Sequence, residues 1–157
     1  MPASREVFIS YRRQDSGDVT GRIFDKLNSV LGKEVVFRDV DSIQMGRDFD
    51  ARINTELESC KMAIVVIGPE WLTLTDENGN RRIDQKEDYV RREIEAVLSR
   101  EPAIPCIPIL IKGAAMPGLD ELPESIRPLT LRQSVEVRGD PHFHSDFDKR
   151  CCDARSG

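Results

Sequence analysis

Apolar residues along this chain alternate between two habits, and the alternation predicts the architecture. Short uninterrupted runs, which suit buried strands, occur at residues 6–11, 34–37, 62–67 and 104–111, with a weaker one at 134–137. Residues 62–67 (Met62-Ala63-Ile64-Val65-Val66-Ile67) show no polar alternation at all, as expected of a strand covered on both faces. Pro105 and Pro108 sit where ladder donors would be, so the fourth strand is expected to be short or bulged. Between the runs, apolar positions return at helical spacing. Val19, Ile23, Leu27, Val30 and Leu31 mark one helix, with Ser16 or Asp18 as its cap and Gly32 as its stop. Phe49, Ile53 and Leu57 mark a second, and Val90, Ile94, Val97 and Leu98 a third. Residues 75–86, with Asn78-Gly79-Asn80, read as an exposed polar excursion, and residues 119–129 hold a short helical turn between prolines.

Strand, helix, strand, helix, strand, helix, strand, short helix, strand: this order calls for an α/β fold, a parallel sheet with helices on both faces. In such sheets ligands bind beyond the carboxyl ends of the strands. The loops gathered there carry Arg12 and Arg13 after the first strand, residues 39–48 after the second, and Gly68 to Trp71 after the third. The third helix opens on the same rim, so Arg12, Arg13, Tyr89 and Glu93 can converge. On its helical wheel Glu93 falls on the shoulder of the apolar stripe, one turn after Tyr89, while Glu95 points to water. Glu93 is then either a rim carboxylate paired with an arginine or a partly desolvated acid that reaches a cleft.

Bulk properties narrow the function classes. A length of 157 residues suits one domain with a real core. A net charge of −5 argues against a general nucleic-acid or anionic-membrane binder. No apolar run approaches the roughly 20 residues of a membrane span, and the first residues lack the apolar core of a signal peptide. Cys60 and Cys106 lie in or beside apolar segments, and Cys151-Cys152 are adjacent in a polar tail; with no CxxC pair, a reducing cytoplasm is the expected setting. The tail also holds His142, His144, Asp146 and Asp148, but without metal-site spacing it is read as solvated, and no metal is expected. Neither a phosphate loop nor a GxGxxG dinucleotide pattern is present.

Three stretches together resemble the signature regions of TIR (Toll/interleukin-1 receptor) domains: Phe8-Ile9-Ser10-Tyr11-Arg12-Arg13, Phe37-Arg38-Asp39-Val40 running to Gly46, and Tyr89-Val90-Arg91-Arg92-Glu93-Ile94. The resemblance covers roughly residues 7–137, in the right order, and the Gly68-Pro69-Glu70-Trp71-Leu72 stretch looks more like bacterial members. It implies a flavodoxin-like, five-stranded parallel sheet, with a TIR domain over residues 1–140 and a tail or incomplete last helix over 141–157. It also implies an enzyme that cleaves NAD+ between nicotinamide and ribose, acting in bacterial immune signalling, with NAD+ as substrate and no cofactor. Glu93 matches the glutamate of the cleaving members and is the expected catalytic residue. Arg12 and Arg13 suit the diphosphate, Tyr89 a stacking face where the family more often has Trp, and Tyr11, Asp39 and Trp71 complete the substrate-binding candidates. Val40, Asp41, Ser42, Ile43, Gln44, Met45 and Gly46 match the assembly loop (the BB loop), which implies self-association through TIR–TIR contacts.

The chemistry fits a single acid. Nicotinamide in NAD+ is already cationic and departs neutral, so no general acid is required, and one carboxylate can stabilise the ribosyl cation. Two other readings compete. One is a non-catalytic TIR–TIR interaction module; the other is a nucleoside hydrolase or deoxyribosyltransferase, for which the two arginines would not matter.

Overall fold

A computed structural model describes residues 7–31, 36–37, 60–86, 88–100 and 103–138. Five strands form one parallel sheet: β1 (Val7–Ser10), β2 (Val36–Phe37), β3 (Met62–Ile67), β4 (Cys106–Ile111) and β5 (Val135–Val137). Their order is β2-β1-β3-β4-β5, with Phe8 level with Ala63, and Ile64 with Ile107. The expected parallel α/β fold is therefore observed, and the order of strands reverses between β1 and β3. The helix expected around Phe49, Ile53 and Leu57 lies outside the described residues, as do Asp39, the assembly-loop candidates Val40 to Gly46 and the tail from residue 139.

Because side chains alternate along a strand, the runs feed two separate apolar layers. Phe8, Ala63, Val65, Ile67 and Cys106 face one way, with Trp71, Ile83, Val90, Ile94, Val97, Ile126 and Leu129. Val7, Ile9, Ile64, Val66, Ile107, Ile109 and Ile111 face the other, with Ile23 and Leu27. Helix α1 (Arg13–Leu31) covers the second layer and α2 (Tyr89–Leu98) the first. Asp88 caps α2 by accepting the Arg91 N–H at 3.0 Å.

Three expectations are corrected in detail. Strand β4 keeps an unbroken register from Cys106 to Leu110 despite Pro108, so it is not bulged. Strand β5 joins β4 only from Ile109 onward, so among the described residues Pro108 has no strand neighbour on that side. Residues 75–86 are not merely an exposed excursion. A Thr75–Arg81 bridge closes the turn, with Gly79 at φ 81°, and a 3-10 turn (Arg82–Asp84) buries Ile83 completely. Residues 119–129 form two 3-10 segments, Leu119–Glu121 and Glu124–Leu131, the second containing Pro128 and burying Ile126 and Leu129 in the α2 layer. Among the described residues no helix is long and apolar enough to cross a membrane.

Candidate functional site

Strand β1 ends on the rim, and its alternation decides what its last residues do. Ser10 shares a face with Phe8 and so points into the α2 layer, where its hydroxyl donates to Glu93 Oε1 at 3.1 Å. Glu93 is 1% exposed and Ser10 equally covered. In place of the rim or partly desolvated acid expected on the helix shoulder, the structure has a fully enclosed carboxylate. The physical reason is that α2 is buried on more than one side: the sheet covers its stripe and the 3-10 segment Glu124–Leu131 packs along it.

Arg12 is also inside the protein, at 4% exposure. Its Nε donates to the Trp71 carbonyl at 2.9 Å, while Nη1 and Nη2 grip the two oxygens of Asp88 at 3.0 and 2.8 Å. The guanidinium also lies 5.8 Å from the centre of the Trp71 ring. Trp71 is itself fully buried, so its route to the site runs through Arg12. Tyr89 is half-buried and packs with the α2 layer; Tyr11 is half-buried and packs with the α1 layer, on the other side of the sheet. Arg13 opens α1, and its side chain lies outside the described part.

A second buried acid stitches the same rim. Asp15 accepts the Gly68 N–H at 2.9 Å and the Glu70 N–H at 2.8 Å, tying the start of α1 to the turn after β3. The approach is close enough that Gly68 has no room for a side chain: a Cβ there would stand 2.4 Å from Asp15 Oδ2. At Ser16 the helix is interrupted, with φ −144° and ψ 19°, and the Ser16 hydroxyl returns to the Arg12 carbonyl at 3.2 Å. Arg13, expected in a loop after the first strand, instead opens a single helical turn that precedes the break.

The end of β4 joins this cluster. Lys112 takes a left-handed φ of 53° before Gly113, and its ammonium reaches Asp18 at 3.1 Å. That hydrogen bond is the main reason the Asp18 carboxyl sits below its ordinary value. Beside it, an open cleft of about 350 Å³ lies between the β3 and β4 loops, lined by Pro69, Leu72 and Met116 among others. It touches none of Ser10, Arg12 or Glu93, so it is not the space in front of the acid. Deeper in the sheet, burial pushes the Cys106 thiol up to about 11, against a smaller opposing effect of Arg132. Among the described residues no cluster of His, Cys, Asp and Glu could hold a metal ion.

Sequence reasoning missed Ser10, Asp15 and Asp88. Alternation from Phe8 would have put Ser10 on the α2 face, and the position just before Tyr89 marks Asp88 as an N-cap. Nothing local signals that Asp15 meets Gly68 or that Arg12 meets Asp88.

Comparison with known proteins agrees with this geometry. A family model described as a TIR domain matches residues 7–149. No curated protein gives a significant sequence match. Among solved structures, the TIR domains of the activated Roq1 resistosome directly recognizing the pathogen effector XopQ superpose with a TM-score of 0.52 at 13% identity, covering 98% of this chain and 76% of that one. A metazoan TIR-STING receptor from C. gigas, solved in complex with 2',3'-cGAMP, gives a TM-score of 0.58 at 20% identity, covering 94% of this chain and 39% of that one. At these identities the likeness concerns the fold alone. With the family model spanning nearly the whole chain, and the sheet order and both helical layers as described, the chain belongs to the TIR domain family.

Proposed function

We propose that this domain is an NAD+ glycohydrolase, releasing nicotinamide and leaving ADP-ribose or a cyclised form of it. The observation that carries the reading is Glu93: a carboxylate inside an apolar layer, held by Ser10 at the carboxyl end of β1, beside the point where the strand order reverses. In a water-poor site the field of an enclosed carboxylate on a nearby cation is strong. Cleavage of the glycosidic C–N bond sends its electron pair to nicotinamide, which leaves neutral. The ribosyl cation left behind is what Glu93 stabilises. Water then adds to C1′ and loses a proton to give ADP-ribose, or an adenine nitrogen adds to close a ring.

At 1% exposure Glu93 is closed to substrate in a lone domain. Turnover therefore requires whatever covers the acid to move, and we assign that step to self-association, with residues 40–46 as the contributing loop. Activity then rises faster than linearly with protein concentration. Arg13 is the candidate for the diphosphate and Tyr89 for a stacked ring, with Asp39 a further substrate-binding candidate. The setting proposed is cytoplasmic immune signalling in a bacterium.

The same burial favours a second reading, a scaffold that works only through TIR–TIR contacts, in which Glu93 is a structural acid satisfied by Ser10. Incubating concentrated protein with NAD+ and a crowding agent separates the two. Nicotinamide release that disappears in Glu93→Gln supports the enzyme; an assembled but inert sample supports the scaffold.

A further inference from the structure

We propose that Arg12 is a positioning residue: by clamping Asp88, the N-cap of α2, against the Trp71 carbonyl, it sets where α2 delivers Glu93. This rests on Glu93 being the catalytic acid. The alternative role for Arg12, gripping a substrate diphosphate, needs a guanidinium presented to open space. Its side chain is 3% exposed and that of Asp88 8%, and three hydrogen bonds fix the plane of the group. Releasing Asp88 to receive a diphosphate would strand a buried carboxylate and an N-cap together.

The geometry gives Arg12 a specific mechanical task. Ser10 and Arg12 are two residues apart at the end of β1. Ser10 holds Glu93, and Arg12 holds Asp88, five residues earlier on α2. At 1.5 Å per residue these two attachments are roughly 7.5 Å apart along the helix axis. Two attachments on one helix oppose sliding along its axis and leave turning only about the line that joins them, whereas a single attachment leaves turning about every axis through it. The contacts of Val90 and Ile94 are apolar and non-directional; further polar attachments run from Arg91 to the Asp84 carbonyl at 2.9 Å and from Ser125 to Glu95, and the Arg12 clamp adds to them at the N-cap. Asp88 Oδ2 accepts from both Arg12 and the Arg91 N–H, so the clamp acts on the helix backbone itself. Trp71 supplies the fixed end: the Asp15 bonds hold the Gly68–Glu70 backbone, and the Trp71 N–H returns to the Gly68 carbonyl at 3.2 Å.

The test compares Arg12→Gln, Asp88→Asn and the double variant, measuring steady-state NAD+ cleavage by the self-assembled protein and amide exchange at residues 91–94. Asn retains the N-cap while discharging the clamp. A misplaced acid lowers kcat by roughly 10- to 100-fold. Both single variants are expected to show that fall with KM within about twofold, and the double variant to be no worse than the poorer single. If either single variant fails to fold, the double, which leaves no unpaired ion inside, carries the comparison with the same expectation. A KM raised about tenfold by Arg12→Gln, with Asp88→Asn at wild-type rates, would overturn the proposal in favour of a diphosphate ligand. Wild-type kcat in the double variant overturns it also. If the wild-type protein cleaves no NAD+, the enzyme reading fails by itself. The clamp is then judged on amide exchange alone: faster exchange at residues 91–94 in the variants upholds it, and unchanged exchange overturns it.

Discussion

Gly68→Ala tests the packing of the rim with one methyl group. A Cβ at this position would lie 2.4 and 2.6 Å from the two carboxylate oxygens of Asp15 and 2.7 Å from its Cγ, all well inside ordinary contact. Asp15 cannot simply swing aside, because its oxygens hold the Gly68 and Glu70 N–H groups at 2.9 and 2.8 Å and it is 6% exposed. Moving the carboxylate by the ~1 Å needed lengthens both bonds beyond useful range. Overpacking costs ~1–3 kcal/mol, and loosening two bonds to a charged acceptor adds on the order of 1–3 more. A total of roughly 3–4 kcal/mol is expected, which for a domain of this size lowers Tm by roughly 6–16 °C. The assay is urea denaturation followed by Trp71 fluorescence, with the slope unchanged and the midpoint shifted. Because one clash dominates, Asp15→Ala and Gly68→Ala combined should cost clearly less than the sum of the two alone. A Gly68→Ala protein within about 0.5 kcal/mol of wild type would refute the reasoning, since the clash would then have a cheap escape.

Three further outcomes follow from the same geometry. Ser10→Ala withdraws a donor from the enclosed Glu93 carboxylate, and is expected to cost ~1–3 kcal/mol by denaturation midpoint and to slow NAD+ cleavage. Asp18 titrates below its ordinary 3.8 because Lys112 donates to it; its contribution to stability is therefore present above that value and lost as pH falls through the lowered one. In Lys112→Met, NMR titration should find the Asp18 carboxyl moved back up. Cys106, pushed by burial from 9.0 to about 11, is a neutral thiol at pH 7 and should resist alkylation until the protein unfolds. With the folded value raised, its contribution to stability is complete below pH 9.0 and is lost as pH climbs toward about 11.

How much of this was legible in the sequence depended on the range of the interaction. The runs at 62–67 and 104–111 announced strands because a parallel sheet buries both faces, and β3 and β4 appear there. The stripe of Val90, Ile94 and Val97 gave α2 and its buried side. Pro108 misled, because its cost depends on whether β5 lies alongside at that level, which no local pattern contains. Glu93 was placed at a rim because a helical wheel shows one partner surface, whereas α2 meets both the sheet and the segment Glu124–Leu131. Arg12 looked available for a ligand because its partner Asp88 is 76 residues away and its fixed end, Trp71, is 59. Charges of opposite sign are plentiful in this chain, and only the fold selects which ones meet.

The most direct measurement of the central claim is chromatography of NAD+ reaction products for the wild type and Glu93→Gln, side by side, across a range of protein concentrations. Gln keeps the shape of the side chain and an oxygen for Ser10 while removing the charge that faces the ribosyl cation. The expected result is nicotinamide release by wild type, rising more than in proportion to concentration, and none above background from the variant. Equal release by both proteins, or none from a wild type shown to be assembled, would contradict the account.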